Sequence, residues 1–247
     1  MQKIKILNGN TLKIIATVAM LIDHIGYYLL PQVSFLRIIG RIAFPLFAFM
    51  IAEGARYTKN RLKYLGLVGG VGLILQIVLF VFTHTLRFNV LITFTLSLLV
   101  IYTFELFKIS LFNKKSDIIS RSLYLIVFLG TSFAVMFVTR AIIGIRFEYG
   151  FIGCLFPIFA SIPSLNRSDA PEWLKKLDNV YIRIACMCVP MVLLCVLSGG
   201  IQWFSLIALV PLFLYSEKRG ELNLKYFFYI FYPAHILLLT LLYYLIY

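Results

Sequence analysis

The stretch TLKIIATVAMLIDHIGYYLL, residues 11–30, decides how the whole chain is read. Twenty helical residues cover about 30 Å, the thickness of a bilayer's hydrocarbon, and most of these are aliphatic. Asp23 and His24 nevertheless stand side by side about two-thirds of the way along. An Asp at the centre of a membrane helix costs roughly 2.5–3.5 kcal/mol on insertion scales, so such groups are paired, water-lined or functional. The expectation is a spanning helix that carries a working imidazole.

The rest of the chain supports a membrane setting. Its 247 residues are 62% hydrophobic and 13% charged, with a mean hydropathy of +0.95. Soluble domains run near 45–50% apolar and 25% charged, so the fold class expected is an all-α polytopic transmembrane bundle, one domain over residues 1–247. Nine crossings are expected, over 11–30, 34–55, 63–82, 90–109, 122–138, 149–162, 181–197, 201–215 and 226–247. The sixth and eighth are short for the hydrocarbon, which suits tilted or re-entrant elements. No small-residue cleavage site follows the first apolar run, so it reads as a retained span. Cys154, Cys186, Cys188 and Cys195 lie inside apolar runs without disulfide or metal spacing, and no metal site is expected.

The net charge of +13 is a topology signal rather than a nucleic-acid signal. Eighteen of the 23 Lys and Arg fall in the segments left on one side of the nine spans, among them Lys13, Arg56, Lys59, Arg61, Lys63, Lys108 and Arg183. Three, Arg87, Arg140 and Arg146, fall on the other. That split places the N-terminus in the cytoplasm and the C-terminus outside. The one sizeable loop, 163–179, reads as an amphipathic cytoplasmic connector with Trp173 at the interface.

Polar residues at membrane depth carry the chemistry. On the first span Lys13, Thr17, Met20, His24 and Tyr27 or Tyr28 recur at spacings of three and four, so one stripe holds a cation and, about 16 Å higher, an imidazole. Asp23 points about 100° away, toward a neighbouring helix. Arg37 and Arg41, one turn apart on the second span, need an anion or carbonyls, and the short intervening loop makes Asp23 the nearest partner. Pro45 frees the carbonyl of Arg41 and marks a kink. Glu53 is expected to pair with Arg56 or Arg61, and Glu105 with Lys108. Arg56, Lys59, Arg61 and Lys63 satisfy a positive-inside loop, or with Lys13 hold the phosphates of a cofactor. His235, two residues after Pro233, is a second intramembrane imidazole; His235, Tyr27 and Asn89 are the expected substrate contacts.

MLIDHIG (20–26), LRIIGRIAFPLFAFMIAEG (36–54), TKNRLKY (58–64), NVLITFTLSLL (89–99), EYGFIG (148–153) and KYFFYIFYPAHILLL (225–239) together resemble the TraX family over nearly the whole chain. Members are integral membrane proteins tied to N-terminal acetylation of conjugative pilin. The spacing from Lys13 to His24 is also similar to the basic-residue-then-histidine signature of the acyltransferase-3 families, which move acetyl groups from cytoplasmic acetyl-CoA to acceptors at or beyond the outer face. The resemblance implies that Lys13, Asp23, His24, Arg37, Arg41, Glu53 and His235 form the functional set of a protein of the bacterial cytoplasmic membrane.

The function expected is membrane acetyltransfer from acetyl-CoA to an extracytoplasmic peptide, glycan or lipid. His24 would be the general base, Arg41 with Arg37 the oxyanion donors, and Asp23 their holder. An unperturbed imidazole, with a pKa near 6.5, is neutral and able to take a proton at pH 7. The rival from another class is a proton-coupled transporter with Asp23 and His24 as relay and Arg37/Arg41 as anion site. An odd span count and the lack of an inverted repeat count against it.

Overall fold

A computed structural model describes residues 6–84, 86–113, 116–141, 146–164, 171–222 and 224–246. Lys3, Lys5, Lys114, Lys115 and Arg167 of the charge count, part of the 163–179 connector and Tyr247 lie outside them. The described chain is essentially helical. In order it runs α1 (Gly9–Tyr28), α2 (Ser34–Gly40), α3 (Ala43–Tyr57), α4 (Arg61–Thr83), α5 (Val90–Phe112), α6 (Ile118–Ala141), α7 (Gly150–Ser161), α8 (Glu172–Leu177), α9 (Val180–Ser198), a 3₁₀ segment (Gly200–Ala208), α10 (Leu209–Phe213) and α11 (Lys225–Ile246).

Among the described residues, six helices are long and apolar enough to cross a membrane: Ser34–Tyr57 taken as one, Arg61–Thr83, Val90–Phe112, Ile118–Arg140, Val180–Ser198 and Tyr226–Ile246. The protein is a polytopic membrane protein. The other three expected crossings meet different fates. The first is a 20-residue helix, but Lys13, Asp23 and His24 lower its apolar character. The sixth is the 12-residue α7, about 18 Å long and too short for a perpendicular crossing. The eighth is the 3₁₀ segment followed by five α-helical residues, entered through Gly199 and Gly200, both in the left-handed region. Glycine reaches those φ values without a Cβ clash.

Local chemistry sets the ends. Asn8, Asn60 and Asn89 cap α1, α4 and α5 by accepting from Thr11, Lys63 and Leu91 backbone N–H groups, each satisfying an otherwise orphan donor. Before α6, Asp117 accepts from the Ser120 N–H at 3.1 Å, and its hydrogen bonds with Ser120 hold its carboxyl below the usual carboxylate range. The second span breaks at Arg41 and Ile42. Arg41 N–H bonds back three residues to Ile38, and Pro45, in the first turn of α3, has no N–H to give Arg41.

The chain divides into two compact units, Met1–Met50 with Met191–Tyr247, and Ile51–Pro190. In the first, α1 packs on α2 and on α11. Lys13 Nζ lies 5.7 Å from the Phe228 ring centre, and His24 meets His235 further along, so α1 and α11 run parallel. In the second, α5 is central and packs on α4, α6 and α7. Val100, Val135 and Cys154 form a buried cluster there, and Arg87–Phe88 pairs in parallel with Arg146–Phe147.

Close approach of α1 to α2 depends on Gly40. A Cβ there would fall on the Cβ, Cγ and Oδ1 of Asp23. Gly40→Ala is therefore expected to lower thermal stability in detergent, by about 1–3 kcal/mol as for other overpacked sites. Gly66→Ala, which meets open space, is the control and should be near neutral. Equal behaviour of the two would refute the account.

Candidate functional site

The first unit gathers seven of the expected residues, Lys13, Asp23, His24, Tyr27, Arg37, Arg41 and His235. α1 presents Asp23 and His24 on different sides, as consecutive helical residues must. Asp23 faces α2. Arg37 Nη1 donates to Asp23 Oδ2 at 2.5 Å and to its backbone carbonyl at 3.1 Å, while Arg41 Nη2 donates to Oδ1 at 2.6 Å. One carboxylate thus clamps two guanidinium groups, each on its own oxygen. Arg41 Nε also donates to the carbonyl of Arg37, fixing the fork at the end of α2. Tyr27 is exposed, and its ring lies 5.1 Å from Arg37 Cζ, a cation–π distance.

His24 faces α11. Its Nδ1 lies 2.8 Å from His235 Nε2, and the rings stack with centroids 5.0 Å apart at 25°. His235 Nδ1 lies 2.8 Å from the carbonyl oxygen of Phe231, and its ring stacks on the Phe231 ring at 5.0 Å. The bonding pattern fixes the protons. A carbonyl can only accept, so His235 Nδ1 carries its hydrogen. In a neutral pair His235 Nε2 is then a lone pair, which accepts from His24 Nδ1–H. His24 Nε2 is left as a lone pair too. A carbonyl–imidazole–imidazole chain therefore presents the basic nitrogen of His24 away from α11, the same logic by which a backbone or carboxylate acceptor orients a working histidine. His235, expected as a substrate contact, is the partner of His24, and it is buried at 5% exposure.

The second unit holds the other group, and there ion pairs reach across long stretches of the sequence. Glu53 meets Arg183, and both are almost fully buried. Arg56 Nη2 donates to Asp178 at 2.9 Å, with Arg183 Nε 3.7 Å from the other oxygen of that carboxylate. Arg61 pairs with Glu105 at 2.6 Å. Lys108, expected on Glu105, donates to the carbonyls of Ser161, Ile162 and Ser164 at 3.1, 3.3 and 2.5 Å. An ammonium has three donors and a helix C-terminus offers orphan carbonyls, so Lys108 caps α7. A small cavity of about 20 Å³, room for one water, lies between Lys108, Glu105, Arg56 and Arg183. Arg56 and Arg61 are thus engaged by carboxylates, and the exposed cations of their turn are Lys59 and Lys63.

Asn89 ties two helices together. Its Oδ1 accepts from Leu91 N–H, and its Nδ2 donates to the carbonyl of Gly72 at 2.8 Å. Gln76 Oε1 accepts from its backbone N–H at 3.1 Å. A side chain so used caps α5 and ties it to α4.

The family profile described as TraX protein matches residues 8–243, which takes in both the Asp23–Arg37–Arg41 clamp and the His24–His235 pair. The chain belongs to the TraX family. Among curated relatives, a probable fimbrial assembly protein FimC, serogroup H1, of Dichelobacter nodosus is 28% identical to this TraX family member over 92% of each chain. An uncharacterized protein, RP591, of Rickettsia prowazekii is 41% identical over 95 residues, 38% of this chain. That match spans 36% of the Rickettsia protein's own length. No solved structure matches this TraX chain.

The sequence missed Arg183, which it counted as a loop cation. The signal was present: Arg183, Met187 and Met191 fall at spacings of four, and all three are fully buried.

Proposed function

We propose that the protein is a membrane acetyltransferase that moves an acetyl group from acetyl-CoA to an amine or hydroxyl of an acceptor at or beyond the outer face of the bacterial cytoplasmic membrane. The observation that carries this reading is the chain Phe231 carbonyl–His235–His24, which leaves His24 Nε2 as an oriented base, one residue along α1 from the Asp23 that holds a guanidinium pair. In the reaction His24 Nε2 takes the acceptor's proton as the amine or hydroxyl attacks the thioester carbonyl. The C–S bond then breaks, and the sulfur leaves as coenzyme A thiol once it regains a proton from the imidazolium. Arg41 offsets the oxyanion that forms between these steps, a kind of contact worth roughly 2.7–4 kcal/mol where single donors have been removed. Asp23 keeps that guanidinium in place.

The α1–α11 seam gives the donor a direction. Lys13 marks one end and His24 the other, about 16 Å apart along α1, a span suited to a pantetheine arm with the phosphates at the Lys13 end. The parallel run of α1 and α11 accords with a cytoplasmic N-terminus and an external C-terminus. The Dichelobacter relative's name, a probable fimbrial assembly protein, suits an acceptor destined for the cell surface, such as a pilin N-terminus.

The test uses purified full-length protein with ¹⁴C-acetyl-CoA and a cell-envelope extract as acceptor source. Thermal stabilisation by coenzyme A and transfer of label to envelope material are expected. If coenzyme A leaves the melting curve unchanged, no label moves, and liposomes show proton-coupled flux, the transporter reading replaces this one.

A further inference from the structure

At the end of the second unit where α4 passes into α5, two arginines are held side by side. The short strands Arg87–Phe88 and Arg146–Phe147 pair in parallel, with Arg87 in register with Arg146 and Phe88 with Phe147. Side chains alternate along a strand, so the arginines leave one face of this ladder and the phenylalanines the other. Burial agrees: both arginines are exposed, while both phenylalanines are half-buried, with ring centroids 4.9 Å apart. Two like charges thus stand across a strand spacing of about 4.8 Å, where they repel unless an anion lies between them.

Among the described residues, neither Arg87 nor Arg146 makes an ion pair or a side-chain hydrogen bond. Glu148 is the acid nearest in sequence, two residues beyond Arg146, and its N–H donates to the Phe88 carbonyl. Arg140, exposed in the last turn of α6, adds a third cation to the same end. It does so because α5 and α6 pack together and only residues 113–117 separate them in sequence, which makes them antiparallel.

Depth selects the anion. α4 and α5 each run 23 residues, about 34 Å, against about 30 Å of hydrocarbon. Their facing ends, Thr83 and Val90, therefore reach the head-group layer, and Arg87 between them lies in it. The anion that this layer supplies is the phosphate of the lipid itself, whose oxygens can each take a guanidinium.

We propose that Arg87 and Arg146 together hold the phosphate of an anionic phospholipid in the head-group layer, with Arg140 at the rim. Such a lipid fastens the α4–α5 connection to the strand that leads into α7. With a cytoplasmic N-terminus the leaflet is the outer one; the site itself needs neither that orientation nor acetyl transfer.

The experiment follows thermal unfolding of the delipidated full-length protein in dodecyl maltoside, with dioleoyl phosphatidylglycerol as the probe. At about 100 times its Kd, the lipid is expected to raise Tm by roughly 5–10 °C. Arg87→Gln combined with Arg146→Gln should abolish the shift. Lysine at both positions should keep part of it, because an ammonium retains the charge but not the fork. Lys175→Gln with Lys176→Gln removes two exposed cations at the opposite end of the unit, beside the end of α5, and should keep the whole shift. A shift that survives the double arginine variant, or one lost equally in the Lys175/Lys176 variant, overturns the proposal. Both arginines are exposed, so without lipid their double variant should melt within about 2 °C of the wild type. A larger drop gives the arginines a partner inside the protein, such as Glu148, and overturns the lipid site. Native mass spectra of the wild type in mixed phosphatidylglycerol and phosphatidylcholine micelles give a second readout. Phosphatidylglycerol should be retained in preference, because choline answers the phosphate of the other lipid; equal retention overturns the proposal. Oleate, a carboxylate at the same depth, should give a smaller shift, and an equal one overturns the choice of phosphate. Inorganic phosphate should give none; an equal shift places the site in water and overturns the lipid.

Discussion

Replacing His24 by alanine is expected to lower acetyl transfer by about 10²–10⁴-fold, the usual contribution of a positioned general base, while the protein still folds. The side chain contributes one hydrogen bond and one stacking contact to the α1–α11 seam, a small part of a helix interface. The measurement is label transfer from acetyl-CoA under single-turnover conditions, with the amount of folded protein set by gel filtration. Retention of most of the activity in a folded His24→Ala protein would remove His24 from the reaction.

The partner substitution separates orientation from bulk. His235→Leu removes the acceptor of His24 Nδ1–H, so His24 is free to move its hydrogen to Nε2 and lose its basic lone pair there. In serine proteases a reversed histidine tautomer costs about 10⁴ in kcat. Activity is expected to fall in the order wild type, His235→Gln, His235→Leu, His24→Ala, because the glutamine oxygen can still accept from Nδ1–H. The chain has three histidines, so ¹⁵N-histidine spectra assigned by single substitution can read the tautomer of His24 directly. The Nδ1–H form is expected in the wild type and its loss in His235→Leu. A wild-type spectrum with the proton on Nε2 would contradict the hydrogen-bond chain whatever the activity.

What could be read from the sequence follows the length scale of each interaction. The long apolar helices stand out because twenty residues of one character have few alternatives, and the Asp23 partners were within reach because a short loop makes α1 and α2 neighbours. The short elements were not settled by apolar character: α7 and the 3₁₀ segment are apolar, and it was the length of their runs, too short for the hydrocarbon, that set them apart in the sequence. Pairings across distant segments were also hidden. His24 and His235 are 211 residues apart, and Glu53 and Arg183 are 130 apart. Local arithmetic paired Glu53 and Glu105 with the nearest cations in sequence, and packing of the second unit brings them Arg183 and Arg61. Lys108 and Arg183 were counted as loop charges since both lie near span ends; burial on a helical stripe, with Ile101 and Leu98 before Lys108, was the sign that they point inward.

Arg183→Met is expected to be the most damaging substitution for stability, at about 3–5 kcal/mol, because it removes the cation paired with a buried anion. Arg183 and Glu53 have side chains only 2% and 3% exposed, so water cannot replace the lost partner. Asp178 would lose its second cation as well, keeping Arg56. Glu53→Gln should cost less: the amide oxygen still accepts from Arg183, and Asp178 remains near the guanidinium. Glu53→Leu combined with Arg183→Met should recover part of the loss, since removing both charges removes the desolvation cost along with the attraction. Breaking the exposed Lys175–Glu172 pair, by contrast, should change stability by no more than about 1 kcal/mol. Thermal unfolding in detergent measures all four, and roughly 10 °C should separate Arg183→Met from the wild type. If the double variant is as unstable as Arg183→Met, the damage comes from lost packing volume rather than from an unanswered charge. The ion pair would then be a passenger in this core, not the reason that Glu53 tolerates burial.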